Sequence, residues 1–457
     1  MLARGIRSYH RPTRLEDAMS LCAQGVALLG GGTRLLATPA ELPNVLDLSA
    51  LGLEAIRTEE EDLVFGGMTT LQEVIESPLA HPATAGLLPA ACRAQSVSRM
   101  VRGMATLGGE SVHGDPDSEV VAALLALNAV YVIAHPAEAR ESPALRFLRN
   151  PGEDLSGGGI VRSIVIPGAP QGAALERAAP LASAPPLLAV AATITFAGEH
   201  CLRARIALTG LEGRPARVLE AESQLERTTG CETALRRAVE QVVARAPFRE
   251  DAHASAAYRR ETARALVVRA LRRAVEQARR PAEHVAPRAR PPLPHRAPTA
   301  LPYFTSGRIE VGVNGRPVRA EVEARTTLLE FLRGEGYQGA KSGCDAGQCG
   351  ACTVLLDGRP VLACLKLALA AQGRSVQTVE GLGEAGALHR LQAAFVAEGA
   401  VQCGFCTSAM LLAAKALLDA VPDPTEDEAR DALAGCLCPC IGYGRPVRAV
   451  LAAAAAR

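Results

Sequence analysis

The sequence predicts a multidomain protein of the α+β class, and three observations lead to this expectation. The chain has 457 residues, which exceeds the usual size of one compact core. The stretch "RRPAEHVAPRARPPLPHRAPTALP" (279–302) has seven prolines, five arginines and no apolar periodicity, as is typical of a semi-extended linker. Nine of the thirteen cysteines follow this stretch. The linker therefore separates a larger N-terminal region from a smaller, cysteine-rich C-terminal region.

Composition excludes several classes of protein. The 49 Lys and Arg nearly balance the 48 Asp and Glu, so the sequence gives no charge signal for nucleic acid. The N-terminus lacks the apolar stretch of a secretory signal. The most hydrophobic run, 120–134, is too short for a bilayer and predicts a buried helix that continues into a strand. We therefore expect a cytoplasmic protein with no membrane span and no nucleic-acid partner.

The cysteine count argues against a disulfide framework. Thirteen is an odd number, and no secretion signal accompanies it. Nine thiols in one short region indicate a soft metal centre instead. We expect the four scattered cysteines to be small buried hydrophobic residues: Cys22, Cys92, Cys201 and Cys231.

Two predicted hairpins open the C-terminal region. "RIEVGVNGRPVRAEV" turns at Asn314-Gly315, and "CTVLLDGRPVLAC" turns at Asp357-Gly358. Between them, "TTLLEFLRGEG" predicts a short helix that begins at Thr326 or Thr327. Two hairpins around one helix predict a small β-grasp-like unit.

From His389 onward the apolar spacing becomes helical. "PTEDEARDALAG" begins with a capping box formed by Thr425 and Glu428 and stops at Gly435. "TSAMLLAAKALLDAV" has helical spacing directly after Cys406. This part of the chain predicts a second, all-helical unit.

The first cysteine set follows the predicted short helix. Its members have the spacing C-x4-C-x2-C with a distant fourth cysteine, which is typical of a plant-type [2Fe–2S] site: Cys344, Cys349, Cys352 and Cys364. Gly343, Gly347 and Gly350 permit positive φ and let amides face the cluster sulfurs. A structural zinc site is the alternative, although zinc is usually held by two well-separated cysteine pairs.

The second cysteine set is less specific in its spacing. "QCGFC" supplies Cys403 and Cys406, and "GCLCPCIGYG" supplies Cys436, Cys438 and Cys440 at alternating positions. Residues that alternate in an extended segment point to one side, so spacing alone does not choose two of these three. Zinc and a [2Fe–2S] cluster both fit this set by itself.

The C-terminal region, from Arg308 to about Val450, resembles the iron–sulfur subunit of the molybdenum hydroxylases, which include xanthine dehydrogenase, aldehyde oxidase and aerobic CO dehydrogenase. The strings that carry the resemblance are "VNGRPV", "TLLEFLR", "KSGCDAGQCGACTVLLDG", "VEGLGEAGALHRLQAAF", "QCGFCTSAM" and "GCLCPCIGYG". The resemblance implies that Cys438 and Cys440 complete the second [2Fe–2S] set with Cys403 and Cys406. Cys436 then falls on the family's asparagine and is not a ligand.

Two glycine-rich stretches stand out in the N-terminal region. "VALLGGGTRLLA" (26–37) and "ATLGGESVHGDPDSE" (105–119) each place glycines after a short apolar stretch, where backbone amides can approach a pyrophosphate. Taken singly, each is more often an ordinary turn. "GLGEAG" (381–386) also fits a dinucleotide motif, but the predicted helix after it runs into Gln402-Cys403, so we interpret it as a connector.

Residues 5 to 278 are similar to the same family's FAD-binding flavoprotein subunit, through both glycine loops and through "IRSYHRPTRLEDAMSL", "LPNVLDLSAL" and "DAHASAAYRRETARALVVRAL". The chain departs from the family pattern by Arg34 for Asp, Glu110 for Asn, Glu119 for Asp and Gly103 for Asn. The FAD-binding residues that the resemblance implies are Gly30, Gly31, Gly32, Thr33, Arg34, Thr106, Gly108, Gly109, Glu110 and Glu119.

The resemblance also implies a domain order. We expect the ranges 1–175 for an FAD-binding domain of the PCMH type, 176–278 for the flavoprotein C-terminal lobe, 279–305 for the linker, 306–380 for the plant-type ferredoxin domain and 381–457 for the helical [2Fe–2S] domain. Because the glycine loops and the cysteines lie on opposite sides of the linker, we expect substitution of Gly31 or Gly109 with a bulky residue to release FAD and to leave both clusters intact.

The family's chemistry implies an oxidoreductase subunit with no catalytic residue of its own. Electrons would pass from a molybdenum–pterin cofactor, held only by a partner subunit, through two [2Fe–2S] clusters to FAD. NAD⁺, a quinone or oxygen would accept them. The expected assembly is a heteromer with the molybdopterin-binding large subunit, as a dimer of heterodimers. The alternatives are a stand-alone flavin–iron–sulfur reductase and a zinc-stabilised scaffold without redox function.

Overall fold

A computed structural model describes residues 5–38, 42–280, 298–383 and 386–456 of the chain. Most of the expected linker, 281–297, and two residues of the "GLGEAG" stretch, 384–385, lie outside the described residues. The chain divides into two compact units. Unit 1 comprises the described residues of Met1–Gly52, Val97–Ala105 and Arg290–Arg457, and unit 2 those of Leu53–Ser96 and Thr106–Ala289.

Helices and strands alternate irregularly along the chain. The strands are β1 (Ser8–Arg11), β2 (Ala27–Leu29), β3 (Asn44–Asp47), β4 (Ile56–Glu59), β5 (Asp62–Gly66), β6 (Val130–Ala134), β7 (Arg140–Pro143), β8 (Ile160–Ile166), β9 (Gly172–Ala178), β10 (Leu188–Ala197), β11 (His200–Leu208), β12 (Ala216–Arg217), β13 (Leu301–Phe304), β14 (Ser306–Val313), β15 (Arg316–Glu323), β16 (Thr353–Leu356), β17 (Arg359–Leu362) and β18 (Ser375–Gln377).

Most helices before residue 230 are short, whereas the two helices that follow, 232–245 and 256–279, are longer. The helices are α1 (Leu15–Ala23), α2 (Leu71–Glu76), α3 (Ala80–Ala83), α4 (Leu87–Gln95), α5 (Arg99–Arg102), α6 (Leu107–His113), α7 (Glu119–Ala126), α8 (Ala144–Phe147), α9 (Pro151–Leu155), α10 (Leu219–Ser223), α11 (Glu232–Arg245), α12 (Ala256–Arg279), α13 (Leu328–Gly334), α14 (Arg390–Ala397), α15 (Thr407–Ala420), α16 (Glu426–Leu433) and α17 (Gly444–Ala455).

Unit 1 contains two sheets. One has the order β13-β1-β3-β2, in which β1, β3 and β2 are parallel and β13 is antiparallel to β1. The other has the order β15-β14-β18-β16-β17. Strand β13 lies at 301–304, inside the range expected to be linker. That part of the linker prediction is therefore wrong, because the open edge of β1 takes up these residues as a pairing strand.

Both predicted hairpins are present in unit 1. The turn residues Asn314 and Gly315 have φ of 50° and 78°, and Asp357 and Gly358 have 48° and 78°. Two consecutive positive φ angles are the requirement of a type I′ turn, which explains the Asn-Gly and Asp-Gly pairs. Thr327, not Thr326, caps helix α13 and forms a capping box with Glu330.

The helical part of unit 1 also follows the sequence signals. Thr425 and Glu428 form the predicted capping box of α16, which ends at Leu433, two residues before Gly435. Cys406 precedes the first residue of α15, as its apolar spacing indicated. Four helices of this part pack together: α14, α15, α16 and α17.

A large hydrophobic core extends through unit 1. It includes Tyr9, Leu29 and Val45 of the first sheet together with Val313 and Leu417 from the C-terminal region. Polar contacts also connect the first sheet to the C-terminal region. The fully buried guanidinium of Arg11 donates to the carbonyl oxygens of Thr299 (2.7 Å) and Leu369 (3.0 Å). The N-terminal strands and the cysteine-rich region therefore form one packed body.

Unit 2 contains the sheets β4-β5-β8-β6-β7 and β12-β11-β10-β9. The second sheet shares a core with helices α11 and α12. The apolar run 120–134 forms the buried helix α7 and the strand β6, as predicted, and Asn128 turns the chain between them with φ of 55°.

The scattered cysteines are only partly as expected. Cys92 and Cys201 are buried, whereas Cys22 is half-buried and Cys231 is exposed. The expectation is wrong for Cys231, because this residue occupies the N-cap position of α11, where the backbone turns at the surface. Among the described residues, no helix has the length and apolar character required to cross a bilayer.

Candidate functional site: two cysteine clusters and a glycine loop

The first cysteine set converges in unit 1. The Cys344 and Cys349 thiols contact each other, as do those of Cys352 and Cys364, and Cys344 lies close to Cys364. Cys344 and Cys349 are half-buried, and Cys352 and Cys364 are buried. The structure therefore brings all four predicted ligands of the plant-type set together.

Three backbone amides contact one thiol of this set. The Cys344 Sγ accepts hydrogen bonds from the N–H groups of Ala346 (3.4 Å), Gln348 (3.2 Å) and Cys349 (3.3 Å). Burial raises the pKa of the Cys344 thiol, but these N–H groups outweigh burial and lower it. Amides that stabilise a thiolate suit an iron–sulfur cluster, whose ligands are deprotonated.

Glycine is required in the loop for two different reasons. Gly347 and Gly350 have φ of 76° and 72°, as expected. Gly343 does not have positive φ, but a Cβ there would lie 2.9 Å from the Cys349 Sγ. The expectation for Gly343 is therefore corrected: it leaves room for a thiol rather than turning the backbone.

The second set also converges in unit 1. The Cys440 and Cys403 Sγ atoms are 3.5 Å apart, and the Cys438 thiol contacts those of Cys406 and Cys440. Cys403 and Cys440 are exposed, whereas Cys406 is buried. The four thiols thus form one group at the surface of the helical region.

Cys436 differs from its alternating neighbours. Its side chain is fully buried, and burial, with Cys406 and Cys349 nearby, raises the pKa of its thiol to about 12. The Tyr443 hydroxyl donates to the Cys436 carbonyl oxygen and accepts from the Cys438 N–H, each at 3.1 Å. This turn directs the Cys438 thiol to the group of four and leaves Cys436 in the core.

The described residues hold no group of three His, Cys, Asp or Glu side chains with the geometry of a site for a single metal ion. The convergence of the two cysteine sets does not conflict with this observation. A [2Fe–2S] cluster distributes four thiolates over two irons, so its ligands do not surround one point. The thiol contacts therefore mark two candidate sites.

The first glycine loop follows β2 in unit 1. Gly31 packs so closely that a Cβ there would lie 1.6 Å from the Met104 carbonyl oxygen, and Gly32 (φ 78°) lies against the Leu365 carbonyl oxygen. Within the part of the chain that the structure describes, the N–H groups of Gly31, Gly32 and Thr33 make no backbone hydrogen bond. Three successive unpaired donors in a loop fit the phosphate oxygens of FAD.

This packing corrects one expectation. The glycine loop and the cysteines lie on opposite sides of the linker in sequence, but Gly32 adjoins Leu365, the residue after Cys364. Met104, which contacts Gly31, also accepts a hydrogen bond from the Leu362 N–H at its Sδ (3.4 Å). A side chain at Gly31 would therefore disturb the surroundings of the first cysteine set. Sequence reasoning missed Met104 and Leu365, which carry no local signal.

The second glycine loop, in unit 2, has its amides already occupied. Thr106 caps α6, and its hydroxyl and carbonyl oxygens accept from the N–H groups of Gly109 and Glu110. The N–H of Gly108 donates to the Gly67 carbonyl oxygen. Gly109 is exposed, while Thr106, Gly108 and Glu110 are buried. The first loop, not the second, offers unpaired backbone donors.

Glu119 is engaged inside unit 2. Its buried carboxylate accepts a hydrogen bond from the Arg177 Nε at 2.6 Å. Burial raises the pKa of Glu119 to about 7, although Arg177 lowers it. The structure therefore gives this predicted FAD residue a partner within the protein.

Four family models match consecutive parts of the chain. They are the FAD binding domain in molybdopterin dehydrogenase (4–169), the CO dehydrogenase flavoprotein C-terminal domain (174–274), the 2Fe-2S iron-sulfur cluster binding domain (311–375) and the [2Fe-2S] binding domain (378–451). These matches cover both glycine loops and both cysteine sets.

Individual proteins agree with the models. The nicotine 6-hydroxylase small subunit of Paenarthrobacter nicotinovorans is 51% identical over 144 residues, covering 31% of this chain and 87% of that protein. The nicotinate dehydrogenase small FeS subunit of Eubacterium barkeri is 46% identical over 136 residues, covering 30% of this chain and 87% of that protein. A structure of carbon monoxide dehydrogenase from Hydrogenophaga pseudoflava that lacks the Mo-pyranopterin moiety superimposes with a TM-score of 0.55 at 27% identity, covering 59% of this chain and 97% of that one.

The chain belongs to the molybdenum hydroxylase family. With an FAD-binding domain and two [2Fe–2S] domains, it is an electron-transfer component of an oxidoreductase. The expected cofactors, FAD and two [2Fe–2S] clusters, are confirmed at the level of these domains, and the zinc-scaffold alternative is wrong.

The burial of Cys436 leads to a first prediction. Serine at Cys438 or Cys440 removes one thiolate, so we expect loss of one [2Fe–2S] electron paramagnetic resonance signal and about half of the iron. Serine at Cys436 should leave both signals in place. Iron analysis and spectra of the reduced proteins test this. Loss of a cluster in Cys436→Ser, with retention in Cys440→Ser, would show that the ligand assignment is wrong.

The raised pKa of Glu119 leads to a second prediction. The ordinary pKa of 4.5 applies in the unfolded chain, and the folded value is about 7. Between these values only the folded chain keeps the proton, so stability is fully present below pH 4.5 and falls as pH rises to 7. The expected slope is up to about 1.4 kcal/mol per pH unit. Chemical denaturation of wild type and Glu119→Gln at several pH values measures it.

The slope should be smaller in Glu119→Gln, because glutamine does not titrate. Glu138→Gln is the matched control, since Glu138 is exposed in the same unit. Equal slopes in all three proteins would contradict the assignment.

Proposed function

We propose that this chain is the electron-transfer subunit of a molybdenum hydroxylase and receives electrons from a molybdopterin-binding partner subunit. When bound, two [2Fe–2S] clusters and FAD supply the redox steps that carry these electrons to NAD⁺, a quinone or oxygen. The partner holds the molybdenum–pterin cofactor and performs the hydroxylation. The relatives described above are named as subunits, which supports a heteromer; a dimer of heterodimers is the assembly we propose.

One observation carries the proposal. The Gly32 backbone lies against the carbonyl oxygen of Leu365, and Leu365 follows Cys364 of the first cysteine set. The same core contains Leu29, which precedes the glycine loop, and Cys352 and Cys364. A group bound at the glycine loop would therefore be next to the first cluster, as an electron path requires.

The residues divide between the cofactors by their chemistry. The Gly31–Thr33 amides offer donors to the FAD pyrophosphate, and Gly30 and Arg34 flank them. The further FAD residues that the family resemblance implies are Thr106, Gly108, Gly109, Glu110 and Glu119. The cluster ligands are Cys344, Cys349, Cys352 and Cys364 for the plant-type cluster, and Cys403, Cys406, Cys438 and Cys440 for the other.

We also infer the finer architecture from these elements. The sheet β15-β14-β18-β16-β17 with α13 supports a β-grasp ferredoxin domain at 306–380, and α14 to α17 support a helical [2Fe–2S] domain at 381–457. The two sheets of unit 2 support a PCMH-type domain followed by a lobe, and because β9 (Gly172–Ala178) belongs to the second sheet, we place the start of the lobe before β9 rather than at residue 176.

The partner surface that we propose surrounds the second cysteine set. Three apolar side chains lie exposed beside Cys403 and Cys440: Val401 (42%), Phe405 (45%) and Leu437 (55%). We call these three residues the apolar rim. Exposed apolar groups around exposed thiols suit a surface that a partner covers. Gln402 and Cys440 would then face the pterin.

The cofactor content gives a third prediction. We expect about four irons and about one FAD per purified chain, because each of two clusters holds two irons. Iron and flavin analysis, with zinc measured in parallel, provides the test. The chain alone should reduce an acceptor after chemical reduction but should not hydroxylate substrate. Zinc in place of half of the iron would refute the two-cluster proposal. Hydroxylation by the chain alone would refute the proposal that a partner subunit performs this reaction.

The apolar rim gives a fourth prediction. Leu437→Lys places a charge on the proposed contact, so co-purification with the molybdopterin subunit should fall by roughly tenfold or more. Leu181→Lys is the matched control, because Leu181 is 67% exposed in unit 2. Both variants should keep the wild-type iron content. Equal recovery of the partner with both variants would exclude the rim as the interface.

A further inference from the structure

The short segment Val97–Ala105 belongs to the flavin half in sequence but to unit 1 in the fold. It contains the single-turn helix α5, with Ser98 as N-cap, and ends directly before Thr106. Its contacts within unit 1 reach all three parts of that unit, from the helical region to the glycine loop.

Helix α5 of this segment contacts Asp431 of helix α16. The Arg102 guanidinium, 1% exposed, donates from Nη2 to both carboxylate oxygens of Asp431, at 2.7 and 2.9 Å. Arg99 lies 3.7 Å from the same carboxylate. The Arg102 Nη1 donates to the Val97 carbonyl oxygen at 2.9 Å, so donors on two nitrogens together fix the position and orientation of the guanidinium. The Asp431 carboxylate compensates the charge of this buried guanidinium.

Gly435 fits the same segment sterically. A Cβ on Gly435 would lie 2.3 Å from the Ser98 Oγ and 2.5 Å from the Met100 Cε. The absence of a side chain therefore lets α5 approach the turn that leads to Cys436. Charge and shape both place α5 against the helical region.

Near its C-terminal end the segment supports the glycine loop. The Met104 carbonyl oxygen occupies the space that a Gly31 side chain would need, and the Met104 Sδ accepts from the Leu362 N–H. Arg102 is only two residues from Met104. The backbone N–H of Arg102 donates to the Ser98 carbonyl oxygen. A shift of α5 would thus move the backbone on which Gly31 rests.

We propose that Asp431 is a positioning residue for FAD, although it lies in the helical [2Fe–2S] region and distant in sequence from either glycine loop. Asp431 fixes the position of Arg102 and thereby of α5 and Met104. Because Met104 contacts Gly31, this keeps the Gly31–Thr33 amides in the arrangement that binds the pyrophosphate. This inference rests on the proposed function, since it takes the first glycine loop as the FAD site. Binding of FAD and docking of the helical region onto α5 are then coupled, and each strengthens the other.

The test is an FAD titration of full-length protein from which FAD has been removed and the clusters retained. Asp431→Asn keeps the size of the side chain and removes its charge, so the Kd for FAD should rise on the order of tenfold. Asp431→Glu, which keeps the charge, should recover most of the affinity. Both cluster signals and the iron content should equal those of wild type.

Glu426→Gln is the matched control. Glu426 forms an exposed ion pair with Arg430 on the same helix, away from α5, and exposed pairs contribute little to stability. Its Kd for FAD should remain within about twofold of wild type. This control separates the Asp431–Arg102 contact from a general effect of charge on α16.

A second variant tests the steric fit between Gly435 and α5. Gly435→Ala should displace Ser98 and Met100 and weaken FAD binding, and adding Ser98→Gly should restore part of it. Wild-type affinity in both Asp431→Asn and Gly435→Ala would overturn the inference. Loss of iron together with FAD would also overturn it, by showing a purely structural role. A wild-type chain that binds no FAD would refute the proposed function instead.

Discussion

The close contact of the Gly31 and Gly32 backbone with Met104 and Leu365 is the constraint on which unit 1 depends. Because neither glycine has a side chain, the N-terminal loop reaches backbone atoms of the segment before Thr106 and of the residue after Cys364. The same contact closes a hydrophobic core that extends from Tyr9 to the helical region. An alanine at Gly31 would require a backbone shift, and such a shift would reach the cysteine loop as well as the glycine loop.

Sequence reasoning succeeded where the determining interactions are local. The turns at Asn314-Gly315 and Asp357-Gly358, the helix start at Thr326 or Thr327 and the capping box at Thr425 are each specified within a few residues. The contacts of Arg11 with Thr299 and Leu369, and of Arg102 with Asp431, join residues far apart in the chain. An arginine that makes such a contact has no distinguishing neighbours in sequence. Which parts of the chain combine to form unit 1 could therefore not be predicted.

The two glycine loops show why a motif does not determine a site. Both follow an apolar stretch, and both were expected to present amides to FAD. In the second loop the carbonyl oxygens of Thr69, Gly67 and Thr106 already accept from Leu107, Gly108 and Glu110. The acceptors at Thr69 and Gly67 come from a distant segment of unit 2 and carry no signal near the glycines. The availability of donors is therefore a property of tertiary packing rather than of the glycine pattern.

Cys436, Cys438 and Cys440 alternate in sequence, and the structure separates them by burial and by the thiols that they contact. The segment that carries them is also tied to the first cysteine set, because the Leu437 N–H donates to the Cys349 carbonyl oxygen at 2.9 Å and a Cβ on Gly350 would lie 2.1 Å from the Gly435 carbonyl oxygen. Backbone groups thus hold the two thiol sets next to each other. The helical region and α5 are instead joined by side-chain contacts, those of Arg102 with Asp431 and of Ser98 and Met100 with Gly435. A substitution that preserves the backbone can therefore spare the link between the clusters while breaking the link to the flavin loop.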